Sequence, residues 1–370
     1  MLISPKANPL AEPASQNRRT AAISLAKLLR TAALQGLWVS FLTSSVALSE
    51  SQSPNPLPQE KASEPSCELL SRGQVSELAN QEVTLQTFLN DFLDTLKAGK
   101  YSDLNRFFHS QSKARADIGD KIQAILENRY DKPWQWSLFR AWRIQVPDGK
   151  KAILSHCPDA DGASVISLFG QQKQFALWLQ IMGQNELGRL ILAVAPEKGS
   201  LKLVGLRIQQ WTQNGEDWEK WVQKAQTYQT DKNSKQAYLS FDVAQKLLQG
   251  EDLVLYPQRQ AIWAERDKVF EPKQLLNSVN DGAQVKTIAY VGSLLAKEGT
   301  GLLIREIVPN DLSTRTYKDM CEKRAKALIS DGWLQKGQGI RCNFIMNGMD
   351  PLQDSGLGGF YLTPEDLKNR

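Results

Sequence analysis

The hydrophobic pattern changes period once within residues 84–211, and this change constrains the fold more than any other feature. In the first part, apolar residues recur at the spacing of one helix face, namely Leu85, Phe88, Leu89, Phe92, Leu93 and Leu96. Thr84 fits the N-cap of this helix, and Gly99 fits its end. From Trp134 onward the apolar residues alternate with period two, as in strands. The stretch therefore predicts helices followed by a sheet.

The predicted sheet is antiparallel, because its strands are joined by short turns rich in Pro, Asp and Gly at residues 147–149 and 158–162. Residues 175–182 are apolar on both faces, which indicates a central strand covered on both sides. The alternation also predicts that several side chains share one apolar face, with Arg140 as its polar exception: Trp136, Leu138, Trp142, Ile144 and Val146. The fold class is α+β, with helices on a curved antiparallel sheet that forms a cone-like roll.

The segment TFLNDFLDTLKAGKYSDLNRFF, the hairpins after it and the closing LKLVGLRIQ resemble the nuclear transport factor 2-like (cystatin-like cone) superfamily. The resemblance covers about residues 80–212 and rests on element order and these two motifs. It implies a cone-shaped domain. That superfamily hosts isomerases, dehydratases and non-catalytic binding modules, so the resemblance leaves the function open. Its catalytic members place acid–base residues inside the cone, and none of those residues matches a position here.

The first domain is predicted to span residues 73–212, and two further regions follow it. Residues 213–276 carry paired apolar stripes at helical spacing and are predicted to form a helical connector. Residues 277–370 contain paired strands, a helix through Tyr317 and Cys321, and an alternating strand through Cys342 and Phe344. A short edge strand at residues 359–362 completes this pattern. The last region is therefore predicted to be a small ββαβ domain.

The N-terminus resembles an export signal. Residues 1–47 hold five basic residues against Glu12 alone, and residues 31–48 carry no charge. Ser45, Val46 and Ala47 then provide small residues for cleavage after Ala47, so residues 1–47 are predicted to be a cleaved signal peptide. The alternative is an uncleaved anchor, which would place the protein at a membrane. Residues 48–72, rich in Ser, Pro, Gln and Glu, are predicted to be a disordered linker. The expected location is periplasmic or secreted.

Net charge argues against nucleic acid as a partner. The chain carries +5 in total, and residues 1–47 supply +4 of this, since five basic residues are opposed by one Glu. The remaining chain therefore carries only +1. A nucleic-acid-binding domain needs a basic surface to neutralise phosphates, and a nearly neutral chain does not supply one.

The four cysteines are an even number in a chain with a predicted export signal, so they predict disulfides. No two of them have CxxC spacing. Cys321 and Cys342 lie on the apolar faces of a predicted helix and the next strand, which favours a Cys321–Cys342 bond. The remaining pair, Cys67 and Cys157, would join the end of the linker to the first sheet. The alternative is that one or both pairs are buried free thiols.

Arg140 and Trp142 are the candidate ligand-binding residues. If their shared face lines the cone, Arg140 would meet an anionic or polar ligand between aromatic walls. The alternative is that Arg140 forms a salt bridge at the rim or packs its stem along the sheet. Asp159 and Asp161 are turn formers rather than calcium ligands, because two carboxylates do not make a full binding loop. Two histidines cannot build a three-histidine zinc site, so no metal and no cofactor is expected.

These observations predict an exported envelope protein that acts as a non-catalytic binding or assembly module. Its partner would be an envelope protein or a small apolar or polar ligand. No nucleophile, base and orienting group combine into a recognisable catalytic motif. The alternative is an acid–base enzyme of the isomerase or hydrolase type that uses the cone pocket, with Asp, Glu or Tyr as the proton carrier. The oligomeric state stays open.

Overall fold

The computed structural model of this chain describes residues 65–110, 118–146, 153–167, 172–250, 253–279, 287–309, 313–352 and 357–368. The predicted signal peptide and residues 48–64 of the predicted linker lie outside these residues. The described part combines helices with sheets that are mainly antiparallel, which is compatible with an α+β fold. Within it, no helix combines the length and the apolar character needed to span a bilayer.

A five-stranded antiparallel sheet forms the centre of the first region. Its strands, in spatial order, are β1 (Ser66–Ser71), β2 (Gln135–Gln145), β5 (Lys173–Met182), β6 (Leu187–Glu197) and β7 (Ser200–Gln210). The central strand β5 is buried along nearly its whole length, which confirms the prediction of a strand covered on both faces. Short turns join β5 to β6 and β6 to β7, so these neighbours pair as hairpins.

One face of this sheet is covered by the helices that precede it. Helix α1 (Val83–Lys97) begins one residue before its predicted N-cap and buries the predicted apolar stripe. A 3₁₀ helix (Tyr101–Phe107) and helix α2 (Ile118–Arg129) follow it. Phe107 packs edge-on against Phe92 with ring centroids 5.2 Å apart. Side chains of β5 and β6 fill the space below, so this face of the sheet is a packed core.

The opposite face is covered by the region predicted as a helical connector. That region contains α3 (Trp218–Thr230), α4 (Ser234–Leu247), the short strand β8 (Val254–Leu255), α5 (Pro257–Val269) and α6 (Pro272–Val279). Trp142 and Trp178 of the sheet share a core with Phe241 of α4 and Tyr256. Strand β8 also pairs with β4 (Ser164–Ser167), which pairs with β3 (Ile153–His156). The helices therefore form a layer on the sheet as well as linking two regions.

A β-bulge in β2 corrects the predicted assignment of side chains to one face. The pairing register with β5 shifts between Leu138 and Arg140, so one extra residue is inserted in β2. Because of this insertion, Trp136 and Leu138 pack with the helices of the first face. Trp142, Ile144 and Val146 pack on the opposite face. The alternation before and after a bulge has the same period, so the sequence pattern did not reveal the change of face.

Strand β1 corrects the predicted end of the linker. The predicted disordered linker, residues 48–72, includes residues 66–71, yet these pair antiparallel with β2 along Cys67↔Ile144 and Leu69↔Trp142. Leu70 is buried in the core of the helix-covered face. Main-chain pairing, the buried Leu70 and a disulfide at Cys67 together compensate the ordering entropy of a short polar strand.

The C-terminal region contains a four-stranded mixed sheet in the order β12–β11–β10–β9. Strands β9 (Ile288–Ala296) and β10 (Gly299–Val308) form a hairpin, and helix α7 (Thr314–Ser330) crosses to β11 (Gly339–Met346). Strand β11 runs parallel to β10, and β12 (Gly358–Leu362) adds the predicted edge. A short helix α8 (Pro364–Lys368) follows. The core of this region includes Trp333 and Phe344, and Tyr238 of α4 joins it.

Candidate functional site

Trp142, one of the two predicted ligand-binding residues, is completely buried. Its indole N–H donates a hydrogen bond to the carbonyl oxygen of Pro158 at 2.7 Å. Its ring packs edge-on against Trp178, with centroids 4.8 Å apart. A ligand would reach Trp142 only if the residues above it moved.

Arg140, the other predicted residue, lies over Phe139 instead of Trp142. Its guanidinium carbon is 4.3 Å from the centroid of the Phe139 ring. Its Nη1 donates to the carbonyl oxygens of Phe139 at 2.8 Å and Arg72 at 3.2 Å. The guanidinium head of Arg140 is thus engaged by main-chain oxygens and a ring of the same chain.

Arg189, which sequence reasoning missed, occupies the position between aromatic walls. The side chain of Arg189 on β6 is 6% exposed, and its guanidinium carbon lies 3.2 Å from the centroid of the Trp211 ring. The same carbon is 4.8 Å from the Trp178 centroid. Its Nη2 forms an ion pair with Asp161 at 2.7 Å. The cation is thus held by aromatic faces and one carboxylate of the same chain.

The turn at residues 158–162 contacts both Trp142, through the Pro158 carbonyl oxygen, and Arg189, through Asp161. Asp159 pairs with Arg72 at 2.6 Å, and Asp161 pairs with Arg189, so both predicted turn-forming aspartates tie the turn to the sheet. Both adopt positive φ, of 57° and 52°, as Asp tolerates in turns. One signal in the sequence could have identified Arg189, since it is the only cation in the apolar strand LGRLILAVAPE.

A buried ionic cluster, composed of Asp242, Lys246, Arg266 and Ser293, joins the helical layer to strand β9. Asp242 is fully buried, and its Oδ2 accepts from Lys246 Nζ at 2.7 Å and from Ser293 N at 2.7 Å. Its Oδ1 accepts from Arg266 Nη1 at 2.9 Å. Burial alone would raise the pKa of Asp242, but the two cations outweigh it and hold the pKa well below its usual range. A saturated, permanently charged carboxylate is suited to structure rather than proton transfer.

Glu186 is a buried carboxyl group with the opposite shift. Burial raises its pKa, despite hydrogen bonds from Thr212 and Asn214. Thr212 Oγ1 donates to Oε2 at 2.8 Å, and the N–H of Asn214 donates to Oε1 at 2.5 Å. Glu186 therefore fixes the turn that contains Asn214. It lies immediately before β6 and outside the core of the helix-covered face.

A cleft of about 370 Å³, named here the polar cleft, opens between the helical layer and the C-terminal sheet. Helix α3 contributes Trp221 and Tyr228, two turns apart on one helix face, and α4 contributes Gln236 and Ser240 one turn apart. The turn between β9 and β10 and residues 335–338 form the other side, and the turn at Asn214 closes one end. The lining combines aromatic rings with hydroxyl and amide groups.

Hydrogen bonds fix both sides of the polar cleft. Gln236 Nε2 donates to the carbonyl oxygens of Gly332 at 3.1 Å and Trp333 at 3.3 Å, which ties α4 to the end of α7. Gln213 Nε2 donates to the carbonyl oxygen of Ala296 at 3.1 Å, which ties the Asn214 turn to β9. The Trp221 indole N–H donates to the carbonyl oxygen of Gln213 at 3.2 Å. The cleft is therefore preorganised by main-chain and amide contacts.

Two hydroxyl groups in the polar cleft keep unused hydrogen-bonding capacity. Ser240 is only 3% exposed, yet its Oγ makes no hydrogen bond to any residue that the structure describes. The same holds for Oη of Tyr228, which is half-buried. Both oxygens are open to the cleft, where they can pair with water or with a ligand.

The charged groups of the polar cleft lie at its rim. Lys224 pairs with Glu216, and its Nζ lies 4.5 Å from the centroid of the Trp221 ring. Glu298 accepts a hydrogen bond from the Tyr361 hydroxyl at 3.3 Å. Lys336 is exposed and forms no ion pair within the described ranges. The polar groups deep in the cleft are neutral.

Both predicted disulfides are present. Cys67 and Cys157 have Cα atoms 5.1 Å apart, and Cys321 and Cys342 have Cα atoms 5.7 Å apart. The first bond joins β1 to the end of β3, and the second joins α7 to β11. Cys321 and Cys342 are fully buried, whereas Cys67 and Cys157 are half-buried. Two disulfides are typical of proteins from oxidising compartments.

Within the described ranges, no group of three or more His, Cys, Asp or Glu side chains is arranged to hold a metal ion. Comparison with known proteins gives no match to any family model, curated protein or solved structure. The arguments about function therefore rest on the chemistry of the polar cleft and on the architecture around it.

Proposed function

We propose that this chain is an exported envelope protein that acts as a non-catalytic binding or assembly module, with the polar cleft as its binding site. The observation that carries this proposal is the hydroxyl of Ser240, a residue only 3% exposed, which opens into a preorganised cleft and has no protein partner in the described structure. Binding sites are typically concave, largely preformed and equipped with a few convergent polar groups.

The disulfides support the export part of the proposal. Disulfides persist in the periplasm and outside the cell and are rare in a reducing cytosol. The sequence of residues 1–47 supports cleavage of a signal peptide after Ala47. Sequencing of the mature N-terminus tests this part. A start at Leu48 is expected, and retention of residues 31–48 in the mature protein would favour the membrane-anchored alternative.

Membership of the nuclear transport factor 2-like superfamily, with a cone-like roll at residues 80–212, remains part of the proposal. The order of elements supports it, since helices precede a sheet of long antiparallel strands. The description of residues 277–370 as a separate ββαβ domain is likewise part of the proposal. Support comes from the strand, strand, helix and strand order of β9, β10, α7 and β11.

The alternative function, an acid–base enzyme, needs a proton-exchanging group in a cavity of the cone. The packed core on the helix-covered face supports the binding module over this alternative, because leucine and phenylalanine side chains occupy that space. Glu186 is the one observation in favour of an enzyme, since burial raises the pKa of its carboxyl group. Its two oxygens are engaged by the turn beside the cleft, which favours a positioning role.

The proposed function is tested with the full chain and a small-molecule fraction of envelope extract, using thermal unfolding as the readout. We expect the fraction to raise the Tm of the wild-type protein, because a ligand that binds only the folded state stabilises it. Ser240→Ala should lose most of this rise. Thr227→Val is the matched control, since it removes an exposed hydroxyl from α3 outside the cleft.

Three outcomes separate the functions. A rise in Tm that Ser240→Ala abolishes and Thr227→Val preserves supports the binding module. No rise for the wild-type protein, or an equal rise for all three proteins, contradicts binding at the polar cleft. Mass spectrometry of the incubated fraction gives the third outcome, because steady consumption of a compound that Glu186→Gln abolishes would favour the acid–base enzyme.

A further inference from the structure

The neutral interior of the polar cleft restricts the class of ligand. Lys224 is paired with Glu216, Glu298 accepts from Tyr361, and Lys336 lies on the exposed rim. No fixed charge therefore remains in the interior to recognise a phosphate or a carboxylate. An apolar ligand fits equally poorly, because hydroxyl and amide groups in the interior would lose their water without gaining partners.

The unused groups of the interior call for a ligand that both donates and accepts hydrogen bonds. Gln236 uses its Nε2 on main-chain carbonyls, and its Oε1 makes no hydrogen bond within the described ranges, so it requires a donor. The hydroxyls of Ser240 and Tyr228 can donate or accept. Gln236 and Ser240 lie one turn apart on α4, so their partners on a ligand must be close together. Adjacent hydroxyl groups on one ring meet this requirement.

The aromatic wall supplies the second element of recognition. Trp221 is buried and its ring carries Lys224 Nζ at 4.5 Å, so the ring that a ligand can contact is Tyr228, which is half-buried and lies two turns further along the same face of α3. Flat rings offer apolar surface to the carbon–hydrogen face of a ligand while polar groups bind its edge. The volume of about 370 Å³ is at the low end of the range for small-ligand sites, which runs from about 300 to 1,000 Å³.

We infer that the polar cleft is a saccharide site that takes an uncharged disaccharide, with ring hydroxyls paired to Ser240, Gln236 and Tyr228. This inference rests on the proposed binding function and names its ligand class. A short peptide also offers donors and acceptors, but its amides are spaced along an extended chain instead of being adjacent on one ring.

Isothermal titration calorimetry of the full chain tests the inference with maltose, cellobiose and chitobiose as probes. We expect at least one of these disaccharides to bind the wild-type protein. Ser240→Ala and Tyr228→Phe should each weaken binding by about two- to tenfold, the equivalent of one hydrogen bond. Thr227→Val should bind like the wild type. Equal Tm values for the four unliganded proteins exclude loss of folding as the cause.

The results that overturn the inference differ from those that overturn the proposed function. If none of the disaccharides binds, or if they bind with the same affinity to both cleft variants, the cleft is not a saccharide site. If Ala-Gln-Ala tripeptide binds instead, and Ser240→Ala weakens it, the site is a peptide site and the binding module stands. The proposed function itself fails when the extract fraction leaves the Tm of the wild-type protein unchanged, or raises the Tm of the wild type, Ser240→Ala and Thr227→Val equally.

Discussion

Asp242 shows how a single buried side chain can control the attachment of two layers. Its carboxylate contacts Lys246 of the same helix, Arg266 of α5 and Ser293 of β9. Charges buried together in this way add little net stability as a set, because their desolvation offsets their attraction. Removing one member is costly, since the remaining charges stay buried without partners.

Asp242→Asn should therefore lower the free energy of unfolding by about 3 kcal/mol, at the lower end of the range for broken buried ion pairs. Urea denaturation at neutral pH measures the change. Asp267→Asn is the matched control, because Asp267 pairs with the same Arg266 but its side chain is 42% exposed. The control should lose less than about 1 kcal/mol. Equal losses in the two variants would show that Asp242 has no special role.

The stabilisation by Asp242 should also depend on pH. The pKa of Asp242 is depressed in the folded state, whereas the unfolded chain takes up the proton near its ordinary value of about 3.9. The stabilisation is thus complete above that pH and is lost as pH falls towards the folded-state pKa. The stability difference between the wild type and Asp242→Asn should be constant from about pH 5 to 7 and narrow below about pH 4. A difference that stays unchanged at lower pH would contradict this.

Arg189 and Arg140 show where residue-level reasoning from sequence stops. Arg189 is the single cation of its strand, whereas β2 carries Arg143 as well as Arg140, so the pattern alone does not decide which arginine lies between aromatic rings. Which one does so depends on the partner strands and on Trp211, which lies 22 positions from Arg189 along the chain. That information is tertiary, because it requires the sheet order and the register.

At the scale of elements, regular apolar periodicity predicts helix α1 and strand β5, but it does not predict the bulge in β2. Helix α1 follows its apolar pattern because it buries one continuous stripe of side chains. Strand β5 follows its pattern because it is buried on both faces. The bulge in β2 preserves the period on both sides while exchanging the faces. The polar cleft draws on the Asn214 turn, α3, α4, the β9–β10 turn and residues 335–338. No local motif spans such separated segments.

The two disulfides connect elements of different exposure, and they should differ in their reduction. A thiolate must reach a sulfur atom to cleave a disulfide, so access controls the rate. Under native conditions dithiothreitol should reduce the half-buried Cys67–Cys157 bond before the fully buried Cys321–Cys342 bond. Alkylation with N-ethylmaleimide at successive times, followed by peptide mass spectrometry, measures the order. In denaturant both bonds should be reduced at similar rates, and earlier labelling of Cys321 under native conditions would contradict the prediction.

At the scale of the whole molecule, the layers depend on one another. The sheet surface that carries Trp142 and Trp178 is covered by α4 and by residues around Tyr256, so the first region does not bury its own tryptophans. Tyr238 and Leu239 of α4 lie in the core of the C-terminal region. Helix α4 therefore contributes side chains to both cores.

A fragment of residues 62–212 should consequently expose its apolar sheet face. We expect this fragment to bind the dye ANS and to aggregate in size-exclusion chromatography, because Trp142 and Trp178, fully buried in the intact chain, would meet solvent. The chain from residue 62 to residue 370 is the control and should bind little dye. Cooperative unfolding of the 62–212 fragment without dye binding would show that the sheet is independently stable.

The two disulfides also determine an order of events in time. Each joins cysteines that are consecutive along the chain, Cys67 with Cys157 and Cys321 with Cys342. A chain threaded N-terminus first through a narrow export channel would present Cys67 first, and the next thiol to emerge would already be its correct partner. Cys321 and Cys342 would follow after the first pair had closed. Oxidation in order of appearance thus gives the native bonds, so maturation would need an oxidase but no enzyme that reshuffles wrong pairs.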